Sequence, residues 1–163
     1  MTINISKVDL SNAEQVSALI RLLDEYATSV EGGGKPLTCE VQDRLRDQLK
    51  NAPTFVAFLA MDGDQAVGLI NCVEGFSTFA ARPLLNIHDV IVTASHRRRG
   101  VARLLFKAAE DEARLRGACK LTLEVLSGNS AALQAYRSFG FETYQLDPAF
   151  GQAMMMQRLL ELA

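Results

Sequence analysis

Residues 96 to 103 read HRRRGVAR, with four arginines and a glycine set between an apolar run, VIV (90–92), and an amphipathic one. Such a cluster can bind nucleic acid, coat a solvated helix end, or hold phosphate. Its position narrows the chemistry. Where a strand ends and a helix begins, the first-turn N–H groups lack intrahelical partners and the helix dipole is positive. Such an end is a natural phosphate cradle. Gly100 lets backbone approach an anion closely, and Ala102 keeps the next turn slim. Arg97, Arg98, Arg99 and Arg103 add charge and bidentate contacts. The GxxxxGK[ST] pattern is absent, as is a three-glycine dinucleotide fingerprint, so the segment suits a phosphate ligand of a third kind.

The other reactive residue types add little. Cys39, Cys72 and Cys119 are odd in number and widely spaced, without a disulfide framework or a CxxC motif, and read as small buried hydrophobes. His88 and His96 have no Cys or carboxylate partner at ligand spacing, so no metal is expected. The formal net charge is −2. The basic feature is therefore local, whereas a general nucleic-acid binder is basic over a whole face; no nucleic-acid partner is expected. No apolar stretch is long enough to span a membrane, and MTINISKVDLSNAEQ has no signal-peptide core, which predicts a cytoplasmic protein without a membrane partner. At 163 residues and 48% hydrophobic content, the chain is expected to fold as one domain, 1–163, around its own core.

The elements that position the cluster can be read from periodicity. INISKVDL (3–10) reads as a strand. Ser11 or Asn12 caps a helix running to about Thr28, with Val16, Leu19, Ile20, Leu22 and Leu23 at helical spacing. EGGGKP (31–36) breaks the chain. A second helix starts at Thr38 and carries Val41, Leu45 and Leu49. Two β-rich runs then flank MDGDQ (61–65), a hairpin signal. LLNIHDVIV (84–92) reads as a central strand, with Asn86, His88 and Val90 on one face and Asp89 and Ile91 on the other. RGVARLLFKAAEDEARLRG (99–117) is a helix with the apolar stripe Val101, Leu104, Leu105, Ala108 and Leu115. ACKLTLEVL (118–126) completes a βαβ unit, parallel to 84–92. SAALQAYRSF (130–139) is a short helix, and FETYQL and AMMMQRLL are two closing strands. The fold class is α/β, a mixed central sheet flanked by helices.

This ordered set resembles the GNAT superfamily of N-acetyltransferases. Arg97-Arg98-Arg99-Gly100-Val101-Ala102 fits the family's R/Q-x-x-G-x-G/A pattern. Around it stand a strand ending VIV, the helix after it, LTLEV, Asn129 and Tyr136 in N-x-x-A-x-x-x-Y, and GFE. The similarity is close over residues 84–143. It implies acetyl-CoA as cosubstrate, with the pyrophosphate on the loop at 98–103 and pantetheine paired to the backbone of Val90, Ile91 and Val92. Asn129 matches the position that bonds pantetheine; turn and N-cap chemistry ahead of Ser130 also suits an asparagine.

The resemblance further implies direct acetyl transfer from thioester to amine. The acceptor amine must be neutral to attack, so a base is useful, and the departing thiolate benefits from a proton donor. Tyr136 matches the family's tyrosine and lies two helical turns beyond Asn129; it is the candidate acid. For the base, His88 stands where related polyamine acetyltransferases are often acidic. Glu124 matches a glutamate proposed as base in family members that acetylate protein N-termini. Asp89 and Glu74 stay open. Acceptor choice in the family falls to the N-terminal helices, their loop and the strand 66–79, here including EGGGKPLT (31–38) and GFSTFAARP (75–83). The acceptor is open among small amines, amino acids, antibiotics and protein amines. Homodimerisation, common in the family, is expected to use the C-terminal strands. A catalytically idle acyl-CoA sensor is the alternative.

Overall fold

The computed structural model describes residues 2–160. Its internal contacts group into two compact units, one reaching Leu123 and the other beginning at Glu124. The first unit runs β1 (Ile3–Lys7), α1 (Ala13–Ala27), α2 (Cys39–Gln48), β2 (Phe55–Asp62), β3 (Gln65–Ser77), β4 (Arg82–Val92), α3 (Val101–Leu115) and β5 (Leu121–Leu123). The sheet order is β1-β2-β3-β4-β5. The first three pairings are antiparallel, and β4–β5 is parallel. This is the mixed sheet with flanking helices that the periodicity predicts.

Asn12 caps α1 by accepting from the N–H groups of Glu14 and Gln15, and Thr38 caps α2 through Val41. The apolar stripe of α1 buries Val16, Leu19, Ile20 and Leu22 against Ala57 and Leu59 of β2, Leu69 of β3 and Ile91 of β4. The opposite sheet face meets α3. There a Cβ on Gly68 would press on Leu105 and Val101. The α3 stripe differs from the expected one: Leu104 and Leu115 are exposed, and the buried set is Val101, Leu105, Phe106, Ala109, Glu112 and Ala113.

Glu112 is buried because it is fully paired. Lys7 Nζ donates to it at 2.8 Å and Arg116 Nε at 2.7 Å, while Arg116 Nη1 reaches Glu74 on β3 at 2.8 Å. Burial pushes the Glu112 carboxyl up, but the hydrogen bonds from Lys7 and Arg116 outweigh it and hold the group below its ordinary value. Cys72 is the one cysteine that behaves as a core hydrophobe, its thiol raised to about 12 by burial; Cys39 and Cys119 are exposed.

Register irregularities correct the predicted faces of β4. Asn71 pairs with Asp89 and Cys72 with Ile87, so His88 is an extra residue in a β-bulge. The bulge reverses the alternation. Asn86, opposite Val73, shares the α1 face with Asp89 and Ile91, whereas Val90, opposite Ile70, lies on the α3 face with Ile87. A period-two count places these residues otherwise because it carries no bulge. The β4–β5 ladder covers only Leu85–Ile87 against Leu121–Leu123, shorter than the predicted 118–126, and it stops where the bulge disturbs the β4 edge.

In the second unit, α4 (Ser130–Ser138) is capped by Asn129 Oδ1, which accepts from Ala132 N–H at 3.1 Å. The two closing strands are not formed. Residues 141–160 contain one 3₁₀ turn, Pro148–Phe150. A backbone bond from Ala153 N–H to Tyr144 C=O joins the two segments without building a ladder. Tyr144, Leu146 and Met154 to Met156 are exposed; alternation supplies a face, but a strand also needs a paired neighbour.

Candidate functional site

The C-terminal half of β4 sets up the first part of the site. Thr93 N–H donates to Val67 C=O at 2.9 Å. Backbone groups alternate along a strand, so Ile91 also turns its N–H and C=O toward β3, while Val90 and Val92 turn theirs to the other edge. The β5 ladder has ended at Ile87 on that edge. Of the three predicted backbone partners, Val90 and Val92 thus face the β5 side beyond the end of its ladder, and Ile91 faces β3. Arg97 Nε donates to Val92 C=O at 3.1 Å on the same side.

The chain then makes a 3₁₀ turn (Ala94–His96) and enters the arginine loop. Arg98 has φ 59° and Gly100 φ 81°, both in the left-handed region. For Gly100 this backbone conformation, rather than a crowded neighbour, is what calls for glycine, since a Cβ there would point into open space. That open space lies at the N-cap of α3, which has no side-chain cap. The first-turn N–H groups of Val101, Ala102 and Arg103 accordingly lack intrahelical acceptors, the first i→i−4 bond being Leu104 N–H to Gly100 C=O at 3.2 Å. Arg97, Arg98, Arg99 and Arg103 are exposed around it. A positive helix end, a left-handed approach and surrounding guanidinium groups fit a phosphate ligand.

Beside this edge, on the α1 face, Asn71 and Asp89 form a locked pair. Asn71 Nδ2 donates to Asp89 Oδ2 at 2.8 Å, and Asp89 N–H donates to Asn71 Oδ1 at 3.1 Å. Asn71 is buried, and Asp89 partly so. Tyr26, at the end of α1, has its phenol pushed up by burial and then by the nearby Asp89 and Glu31 carboxylates. The end of α1 therefore lies within electrostatic reach of Asp89. Asn86 Nδ2 donates to Thr122 Oγ1 at 3.0 Å on the same face. His88 is exposed at the bulge. Glu74 is turned to the α3 face, where Arg116 holds it. Phe76 and Phe79 are exposed near the end of the β3–β4 hairpin.

In the second unit, Asn129 serves as the N-cap of α4, and Tyr136 stands two turns along it, its ring edge-on to Phe141 at a centroid distance of 6.2 Å. Glu124 is exposed. An open cleft of about 690 Å3 between α1 and the β1–β2 side, lined by Glu14, Arg21, Met61 and Asp64 among others, contains none of the predicted site residues. Among the described residues no His, Cys or carboxylate group is arranged to hold a metal, and no helix is long and apolar enough to cross a membrane. Sequence reasoning missed Asn71, whose role rests on Asp89 on the neighbouring strand. The only local signal was a polar residue inside an apolar strand.

Comparison with known proteins bears on the family and the fold. Residues 17–141 match the sequence profile of the Acetyltransferase (GNAT) family. Streptothricin acetyltransferase of Streptomyces lavendulae is 39% identical over 111 residues, covering 68% of this chain. The match spans 56% of that relative's length. Thialysine N-epsilon-acetyltransferase of Caenorhabditis elegans is 27% identical over 89% of this chain and 92% of its own. The solved structure of AAC(6')-Iy, in complex with the bisubstrate analogue CoA-S-monomethyl-acetylneamine, shares the fold with a TM-score of 0.75 and 16% identity, over 98% of this chain and 100% of its own. With its family model matched over most of its length, the chain belongs to the GNAT family of acetyltransferases.

Proposed function

We propose that this chain is an N-acetyltransferase that moves an acetyl group from acetyl-CoA directly to a primary amine on a small molecule. The observation that carries this reading is the junction from β4 to α3. The β4 edge at Val90 and Val92, beyond the end of the β5 ladder, leads into Arg97–Gly100 and the start of α3, which has no side-chain cap. A strand edge suits the amides of pantetheine, and a helix N-terminus ringed by arginines suits a pyrophosphate. The relatives named for acetylating streptothricin and the epsilon amine of thialysine support a small-molecule amine as acceptor.

In this reading Asn129 bonds pantetheine and Tyr136 donates a proton to the departing thiolate. The attacking amine must lose a proton. His88, Glu124 and Asp89 are the groups proposed to take it, directly or through water, and Asp89 has the firmest support. Its carboxylate is aimed by Asn71 and acts electrostatically on Tyr26, whereas Glu74 is held by Arg116. Release of CoA thiol during incubation of the protein with acetyl-CoA and a panel of primary amines tests the proposal. Amine-dependent thiol release supports it, and thiol release with no member of the panel counts against it.

A further inference from the structure

His96 takes no part in the chemistry above, yet it is among the few buried polar side chains, at 8% exposure. Both ring nitrogens are engaged. Ser95 Oγ lies 2.8 Å and Thr93 Oγ1 3.2 Å from Nδ1, and Asp62 Oδ2 lies 3.2 Å from Nε2. A carboxylate can only accept, so Nε2–H donates to Asp62, while Nδ1 pairs with hydroxyl groups that can donate or accept. Asp62 closes β2 at the hairpin turn, 34 residues earlier in the chain. The imidazole therefore ties the turn Ala94–His96 to the body of the sheet.

The loop immediately after this tie needs an anchor. Arg98 holds a left-handed backbone without being glycine. Such a conformation persists only where the surroundings over-determine it. Arg97 to Arg99 and Gly100 are exposed. On the N-terminal side, the loop is held by Arg97 Nε on Val92 C=O and by the buried ring of His96 directly before it.

We infer that His96, pinned by Asp62, is a positioning residue for the arginine loop. It keeps the N–H groups at the start of α3 and the loop guanidinium groups preorganised for the pyrophosphate of an acyl-CoA. This rests on the proposed function above. Loosening the tie charges the ordering of the loop to the ligand that needs it. The penalty falls on the nucleotide end of CoA and spares the pantetheine contacts on the Val90–Val92 edge, which belong to the sheet.

The test is calorimetric titration of CoA and of S-acetylpantetheine, which lacks the pyrophosphate, into wild type, Asp62→Ala, Asp62→Asn and His96→Ala. Asp62 is partly exposed, so its variants keep the test sound if loss of the buried ring unfolds the chain. Asp62→Ala is expected to weaken CoA about tenfold, the scale of a lost preorganisation, and to leave S-acetylpantetheine unchanged. Asp62→Asn retains an acceptor oxygen and is expected to stay within about twofold of wild type. Equal weakening of both ligands by Asp62→Ala would mean a general loss of structure and overturn the inference. So would unchanged CoA affinity in Asp62→Ala, with the cradle itself left standing. A wild type that binds S-acetylpantetheine as well as it binds CoA would remove the pyrophosphate cradle and take both readings down together.

Discussion

Asn71 holds Asp89 with both atoms of its amide, donating to the carboxylate at 2.8 Å and accepting from the backbone N–H at 3.1 Å. The pair exists because the bulge at His88 brings Asp89 opposite Asn71 on the α1 face. A carboxylate aimed this way, within electrostatic reach of Tyr26, can meet an incoming amine. Asp89→Asn is expected to slow acetyl transfer by about 10²-fold or more, within the range for loss of a general base, and to leave the acetyl-CoA Kd unchanged. His88→Gln and Glu124→Gln are expected to cost less. Steady-state rates of the three variants, with one acceptor, rank the candidates.

Gly100→Trp tests the cradle. Its φ of 81° makes any side chain there strained by roughly 1–2 kcal/mol, while the space a Cβ would enter is open. The variant is expected to fold, to melt a few degrees lower, and to lose measurable CoA binding. Normal binding by a folded Gly100→Trp would place the phosphate site elsewhere.

Tyr136→Phe removes only the phenolic oxygen and keeps the ring against Phe141. If the hydroxyl protonates the thiolate, acetyl transfer falls by about 10²-fold with acetyl-CoA affinity preserved. Wild-type turnover would take away the acid role.

Glu112 predicts a pH effect on stability. Its folded-state value lies below the ordinary carboxylate range, so its contribution is fully present above about pH 4.3. It is lost as pH falls from there through the folded-state value. Glu112→Gln is expected to lose about 2 kcal/mol at neutral pH, the scale of hydrogen bonds to a charged group. It should also show a flatter decline of stability between about pH 5 and pH 3. Urea unfolding of both proteins across that range measures the difference.

The parts that sequence made legible were those encoded locally. The α1 stripe, the Asp-Gly hairpin turn and the glycine at the start of α3 each carry their structure within a few residues. Whatever depends on a distant partner was not legible in that way. The bulge at His88 arises from the register against β3, so the alternation of NIHDVIV grouped Asn86 with Val90 instead of with Asp89 and Ile91. Glu112 looks like a solvent-facing helix charge until Lys7 and Arg116 are seen to meet it. His96 is read in the sequence only as a residue without metal-ligand spacing, and its pairing with Asp62, 34 residues away, is visible only in the fold. FETYQL and AMMMQRLL have strand composition without a ladder to join, which composition does not reveal.

Everything proposed for the chemistry depends on the β4-to-α3 junction binding acetyl-CoA. Calorimetric titration of the wild-type protein with acetyl-CoA, with NAD and ATP as controls, decides whether it does. Saturable binding of acetyl-CoA at one site per chain is expected, with much weaker binding of both controls. Absence of acetyl-CoA binding, or equal binding of all three ligands, would contradict the assignment.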